Sequence, residues 1–156
     1  MPLINIRAYR PTDSEGTFRL FQETVREVNK QNYTPKQLAV WAGDEREIDP
    51  VEWNERLMGH VTLVAVLDNQ ILGFADMDQE GYLDRLYTHK EYQRKGIGHA
   101  LVSELEKQVV KDRYTTHASI TARPFFEKQG YQMVKKNVVV LSEVSFTNYF
   151  MSKEMT

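Results

Sequence analysis

Apolar positions change their period along the chain, and each change marks a new kind of element. Leu3 to Ala8 alternates as a strand does, after which Phe18, Phe21, Val25 and Val28 fall on one face of a helix that Asp13 or Ser14 can cap. Tyr33-Thr34-Pro35 predicts a second helix, capped by Thr34, opened by Pro35 and carried through Leu38, Val40 and Trp41 to Gly43. A third, short helix is expected from Asp49-Pro50 to near Gly59.

The period then becomes two. Val61 to Leu67, the turn Asp68-Asn69-Gln70 and Ile71 to Met77 read as an antiparallel hairpin, with a further strand from Tyr82 to Tyr87. From Gly98 to Asp112, Leu101, Leu105 and Val109 recur at helical spacing opposite charged residues. Tyr114 to Ile120 predicts a strand and Ala122 to Gln129 a short helix stopped by Gly130. Tyr131 to Leu141 with Val144 to Met151 predicts a closing hairpin. The order β-α-α-α-β-β-β-α-β-α-β-β implies an α/β fold: one sheet of mixed direction with a crossover through the helix Gly98 to Asp112.

Length and composition add limits. The 156 residues, 41% hydrophobic and 27% charged, suit one domain spanning 1–156. A net charge of −2 gives no bulk attraction to nucleic acid or an anionic membrane, so a small-molecule partner is expected. The chain has no cysteine, which excludes a disulfide framework and a covalent thiolate relay. The opening Met1-Pro2-Leu3-Ile4-Asn5-Ile6-Arg7 does not have the form of a secretory signal, and no run approaches the roughly 20 apolar residues of a membrane span; a cytoplasmic protein is expected.

The chemistry centres on Gln93-Arg94-Lys95-Gly96-Ile97-Gly98, between a strand and the most regular helix. Glycines let backbone N–H groups approach a ligand, and a helix N-terminus adds unpaired donors and partial positive charge. Arg94 and Lys95 add full charges, so the loop reads as a diphosphate site. It is neither a dinucleotide fingerprint, since Leu101 stands three residues after Gly98, nor a P-loop, since no Gly-Lys-Ser/Thr follows.

These residues resemble the signature of the GNAT acetyltransferase family, Gln/Arg-x-x-Gly-x-Gly/Ala, matched by Gln93, Gly96 and Gly98. The strand Tyr82 to Thr88 and the stretch Ala118 to Tyr131, with its Phe125-Phe126-Glu127-Lys128 string, extend the likeness over most of the chain. The downstream stretch is similar to a subgroup of small bacterial enzymes. The resemblance implies a mixed, mostly antiparallel sheet, flanked by helices, with a central parallel pair that splays apart. It implies that acetyl-CoA is the cosubstrate and that no metal takes part. The pantetheine would lie in the splay on main-chain groups of Leu86 and Thr88, beside Tyr87, Ser119 and Phe126. The diphosphate would be wrapped by Gln93, Arg94, Lys95, Gly96, Ile97, Gly98 and His99.

Acetyl transfer to an amine needs a neutral amine, a donor for the oxyanion and a departing thiolate. Asp84 is the first candidate base, with Asp76, Asp78 and Glu80 in reserve. Strand alternation would put Tyr82, Asp84 and Leu86 on one face and Leu83, Arg85 and Tyr87 on the other. A backbone N–H near Tyr87 is the expected oxyanion donor. Many GNAT enzymes place an acidic tyrosine where this chain has Phe126, which has no proton to give. Ser119, Tyr114 and Tyr149 are the substitutes, and His117 is weighed as acid or base against a structural role. A non-catalytic acyl-CoA-binding module is the alternative reading.

The segment Tyr33 to Gly59, with Tyr33, Trp41 and Trp53, stands where the resemblance places the acceptor pocket. Asp44, Glu45, Glu47 and Asp49 are either a solvated loop or a feature favouring a cationic amine. The acceptor is expected to be a small-molecule amine or a peptide lysine. His60 and His89 read as surface residues. The closing hairpin suggests a homodimer through Val138, Val140 and Phe146.

Overall fold

A computed structural model describes residues 3–43 and 48–155. Its strands are β1 (Asn5–Ala8), β2 (Val61–Leu67), β3 (Gln70–Met77), β4 (Tyr82–Thr88), β5 (Arg113–Ser119), β6 (Gln132–Leu141) and β7 (Val144–Glu154). Its helices are α1 (Ser14–Glu27), α2 (Pro35–Ala42), α3 (Pro50–Met58), α4 (Ile97–Gln108) and α5 (Arg123–Lys128). The strands form one seven-stranded sheet in the order β1-β2-β3-β4-β5-β7-β6. Every neighbouring pair is antiparallel except β4 and β5, which α4 joins as a crossover. Among the described residues no helix is long and apolar enough to cross a membrane.

Local chemistry sets the ends of several elements. Thr34 Oγ1 accepts from the Gln37 N–H at 3.1 Å while Gln37 Oε1 accepts from the Thr34 N–H at 2.8 Å, a reciprocal cap before Pro35. Asp49 caps α3 by accepting from the Val51 N–H at 2.9 Å. Both two-residue hairpin turns, Asp68-Asn69 and Ser142-Glu143, hold their residues at positive φ, the conformation whose twist matches the flanking strands. Asp13 departs from its expected capping role. Its two oxygens accept from the Arg7 guanidinium at 2.8 and 3.0 Å and from the Arg10 N–H at 2.8 Å, fixing the chain's entry into α1.

Helix α4 ends at Gln108, four residues before the predicted Asp112, and the cause is Tyr114. Its buried hydroxyl lies 2.7 Å from the Val109 carbonyl and 2.9 Å from that of Glu106, and accepts from the Lys111 N–H. The phenol satisfies carbonyls that a longer helix would have bonded internally.

The sheet buries both faces. On one face Leu101 and Leu105 of α4 cluster with Leu72, Ala75, Leu83, Phe126 and Tyr131; on the other Phe21 and Val25 of α1 and Trp53 of α3 cluster with Tyr33, Phe74 and Phe146. Phe146, expected on the surface, is only 8% exposed. The register of β4 jumps from Asp76↔Arg85 to Met77↔Leu83, so Asp84 is an extra residue in the strand. The bulge breaks the expected alternation: Leu83 and Leu86 both pack toward α4, whereas Tyr87 and Arg85 lie on the opposite face, Arg85 over the Trp53 ring.

Candidate active site

Parallel pairing of β4 with β5 is confined to Tyr82↔Thr115 and Leu83↔Thr116. At that point Thr116 Oγ1 donates to the Leu83 carbonyl at 2.7 Å, and beyond it the strands part. A cavity of about 810 Å³ opens there, walled by both strands, the loop before α4, and α5. The His89 N–H donates to Leu72 O at 2.7 Å, so alternation along the β3–β4 ladder turns the Tyr87 N–H toward Phe74 and the main-chain groups of Leu86 and Thr88 into the gap. Thr88 O already accepts from Gln93 Nε2 at 2.6 Å and Thr24 Oγ1 at 3.2 Å. The Thr88 N–H and both Leu86 groups therefore face the cavity, and a donor near Tyr87 has to come from these neighbours.

The loop opening α4 is shaped by Arg94 at φ +60° and Gly96 at φ +82°. Among the described residues none of the backbone N–H groups from Gln93 to His99 has a protein acceptor; the Ala100 N–H is the first that does, bonding Gly96 O at 3.0 Å. A run of bare donors at a helix N-terminus suits a polyanion. Arg94 and Lys95 project from it, both exposed. The two signature glycines serve different needs. A Cβ on Gly96 would meet nothing within 4 Å, so backbone conformation selects glycine there, whereas a Cβ on Gly98 would come 2.9 Å from the Phe125 ring. Ile97 is buried in the core, and exposed His99 meets Gln129 Oε1 at 2.8 Å. Gln93 braces the loop against the end of β4 with its side chain.

The bulge carries the Asp84 carboxylate to the cavity wall, 30% exposed and 3.2 Å from Arg85 Nη1. Ser119 also lines the cavity, its Oγ accepting from the Ala122 N–H at 3.0 Å, which leaves its own hydrogen free to donate. The Tyr87 phenol is pushed up to about 12 by burial, against the opposing hydrogen bond from Trp41 Nε1 at 3.3 Å. His117 Nδ1 lies 2.9 Å from the Tyr82 hydroxyl, and its ring rests against Phe150. Phe126 is 3% exposed and stacks edge-on against Tyr131, with one edge on the cavity. Tyr149 lies under the Arg123 guanidinium at 4.5 Å. Tyr114 stands at the other end of α4 with its hydroxyl engaged, which removes it as a proton donor here.

Two expectations about charged groups are corrected. Asp76 is not a solvated reserve: it is fully buried, and its Oδ2 takes His60 Nδ1 and Arg85 Nη1, each at 2.8 Å. His60 is therefore half-buried, and the hydrogen bond to Asp76 raises its pKa despite desolvation. The ligand atoms of His60, Asp76 and Asp84 lie within 4.8 Å of one another, and the cation already between the two carboxylates is the Arg85 guanidinium. Of the tryptophans only Trp41 lines the cavity; Trp53 is core, its Nε1 donating to Thr17 Oγ1. Asp78 shapes a turn by accepting from the Glu80 and Tyr82 N–H groups, and His89 Nδ1 accepts from the Glu91 N–H. Of the acidic cluster, Asp44, Glu45 and Glu47 lie outside the described residues.

Residues 29–153 match the family described as the acetyltransferase (GNAT) domain. The chain belongs to this family. It is 37% identical over 148 residues to the uncharacterized N-acetyltransferase YafP of Escherichia coli K12, covering 95% of this chain and 94% of that one. A GCN5-related N-acetyltransferase of Rhodopseudomonas palustris superposes with a TM-score of 0.90 at 29% identity, over 99% of this chain and 98% of the other. The PaiA N-acetyltransferase of Thermoplasma acidophilum, solved in complex with coenzyme A, shares the fold with a TM-score of 0.80 at 19% identity, over 97% of this chain and 99% of that one. The protein is thus a GNAT-type N-acetyltransferase with the mixed sheet and parallel β4–β5 pair of that fold.

Proposed function

We propose that the protein moves an acetyl group from acetyl-CoA directly to a primary amine, on a small molecule or a peptide lysine. The observation that carries this reading is the continuity of the β4–β5 gap with the seven bare N–H groups of Gln93 to His99. An acyl-CoA has an amide-bearing arm that matches the free main-chain groups of Leu86 and Thr88. Its diphosphate matches the loop donors, with Arg94 and Lys95 adding charge. The arm would pass Tyr87, Ser119 and Phe126, and His99 would flank the diphosphate.

The acceptor amine has a pKa near 10, so its ammonium must lose a proton before attack. Asp84, aimed into the cavity from the bulge, takes that proton directly or through water. The amine nitrogen then bonds to the thioester carbonyl carbon, and the oxyanion accepts from a main-chain N–H of Leu86 or Thr88. Collapse breaks the carbon–sulfur bond, and the second proton of the attacking nitrogen passes to the departing thiolate through water or the Ser119 hydroxyl, which gives up one proton as it takes the other. A thiol pKa near 8.5 makes that departure feasible without the tyrosine that Phe126 replaces. Trp41 offers an aromatic wall to the acceptor's carbon skeleton.

Phe126 favours one second reading, an acyl-CoA-binding module without turnover. Thiol release from acetyl-CoA across a panel of primary amines and lysine peptides separates the two. Amine-dependent release supports transfer, and binding of acetyl-CoA with no release on any amine supports the module.

A further inference from the structure

Strand β6 forms one edge of the sheet, and none of its ten residues is buried. Of the eleven large apolar side chains exposed among the described residues, six stand on it: Met133, Val134, Val138, Val139, Val140 and Leu141. Its valine run, Val138 to Val140, is exposed on both faces, whereas α1, α3 and α4 pack on β2, β3 and β4. Natural edges are blunted by proline, charge or brevity. This edge has no proline, extends about 33 Å, and carries charge only at Lys135 and Lys136.

The geometry of the edge is defined by the hairpin. Leu141 and Val144 close a two-residue turn, so they exchange hydrogen bonds. Alternation back along β6 then points the N–H and C=O groups of Val140, Val138 and Lys136 away from β7, toward open solvent. A strand that pairs with those groups must set its own outward residues opposite them.

We infer that β6 is the interface of a homodimer, in which two copies pair antiparallel about a two-fold axis at Val139 and continue the sheet across both molecules. In this register Val138 stands opposite Val140 of the second copy, and both residues have outward main-chain groups. Val139 meets its own equivalent. Lys135 faces Glu143 of the second copy, and the two-fold repeats the ion pair. Placing the axis at Val138 instead would set Lys136 against Val140 and lose both ion pairs. An axis between two residues would oppose outward groups with inward ones. Complementary charge and matched apolar pairs thus select a second copy of this chain as occupant and a single register.

The test is sedimentation velocity on the full chain at micromolar concentration. The wild type is expected at twice the 18.3 kDa of one chain. Val138→Lys with Val140→Lys is expected to sediment as a single chain with an unchanged circular dichroism spectrum. Lys135→Glu, which sets Glu against Glu143, is expected to weaken the dimer at least tenfold, and adding Glu143→Lys to restore it. Both charged positions are exposed, so this exchange probes the interface even if the valine variants fold poorly. A monomeric wild type would overturn the inference, as would a dimer indifferent to the valine substitutions or to the charge exchange.

Discussion

Thr116 Oγ1 donates to the Leu83 carbonyl at 2.7 Å, at the last residue pair that holds β4 and β5 together. This side-chain bond closes the parallel ladder from within, so the sheet opens at a defined point instead of fraying. Thr116→Val keeps the shape and removes the side-chain hydrogen bond to this carbonyl, which the parallel ladder also pairs with the His117 N–H, a loss of about 0.5–1.5 kcal/mol. Thermal unfolding is expected to move down by several degrees, and Thr116→Ser to recover most of the difference. An unchanged midpoint in the valine variant would mean that the clasp has no structural weight.

Gly96 and Gly98 are predicted to fail in different ways. At Gly96 the space is open but φ is +82°, so Gly96→Val strains the loop by about 1–2 kcal/mol and turns its N–H donors away. Acetyl-CoA affinity should be lost while circular dichroism stays near native. At Gly98 a Cβ meets Phe125 at 2.9 Å, so Gly98→Ala should lower stability, and Phe125→Leu in the same chain should relieve part of it. Calorimetric binding and thermal melts of the variants distinguish the patterns.

Asp84→Asn removes the proposed base without altering volume. Turnover is expected to fall by roughly 10²- to 10⁴-fold, most severely at low pH where more of the amine is protonated, with acetyl-CoA affinity unchanged. Steady-state kinetics across pH decide it: full activity at every pH would remove Asp84 from the mechanism.

His60 gives a pH signature of stability. Its folded pKa lies above the ordinary value of 6.5 because Asp76 accepts its hydrogen bond, with burial opposing. Protonated His60 therefore stabilises the fold fully below about pH 6.5, and that contribution is lost as pH rises through the higher folded pKa. The melting temperature of the wild type should fall over that window more than that of His60→Gln. Parallel curves for the two proteins would contradict the linkage.

What the sequence made legible was local chemistry. Thr34-Pro35, Asp49-Pro50 and the Asp68-Asn69 turn end or join elements through their own side chains and φ angles, and the glycine loop before α4 announces a helix start. What it hid depended on residues distant in the chain. The early end of α4 is set by the Tyr114 hydroxyl, and the bulge at Asp84 by the pairing of β4 with β3. The burial of Asp76 had a faint signal, a lone carboxylate in the apolar run Ile71 to Met77. Its partner His60 had none, because a histidine between a helix and a strand looks like any surface residue. Gly98 fitted the family signature, yet its contact with Phe125 appears only once α5 folds back against α4.

Calorimetric titration of the purified protein with acetyl-CoA decides whether the loop from Gln93 to His99 and the β4–β5 gap form one acyl-CoA site. Saturable binding of one molecule per chain is expected. Absence of binding at millimolar acetyl-CoA would contradict it.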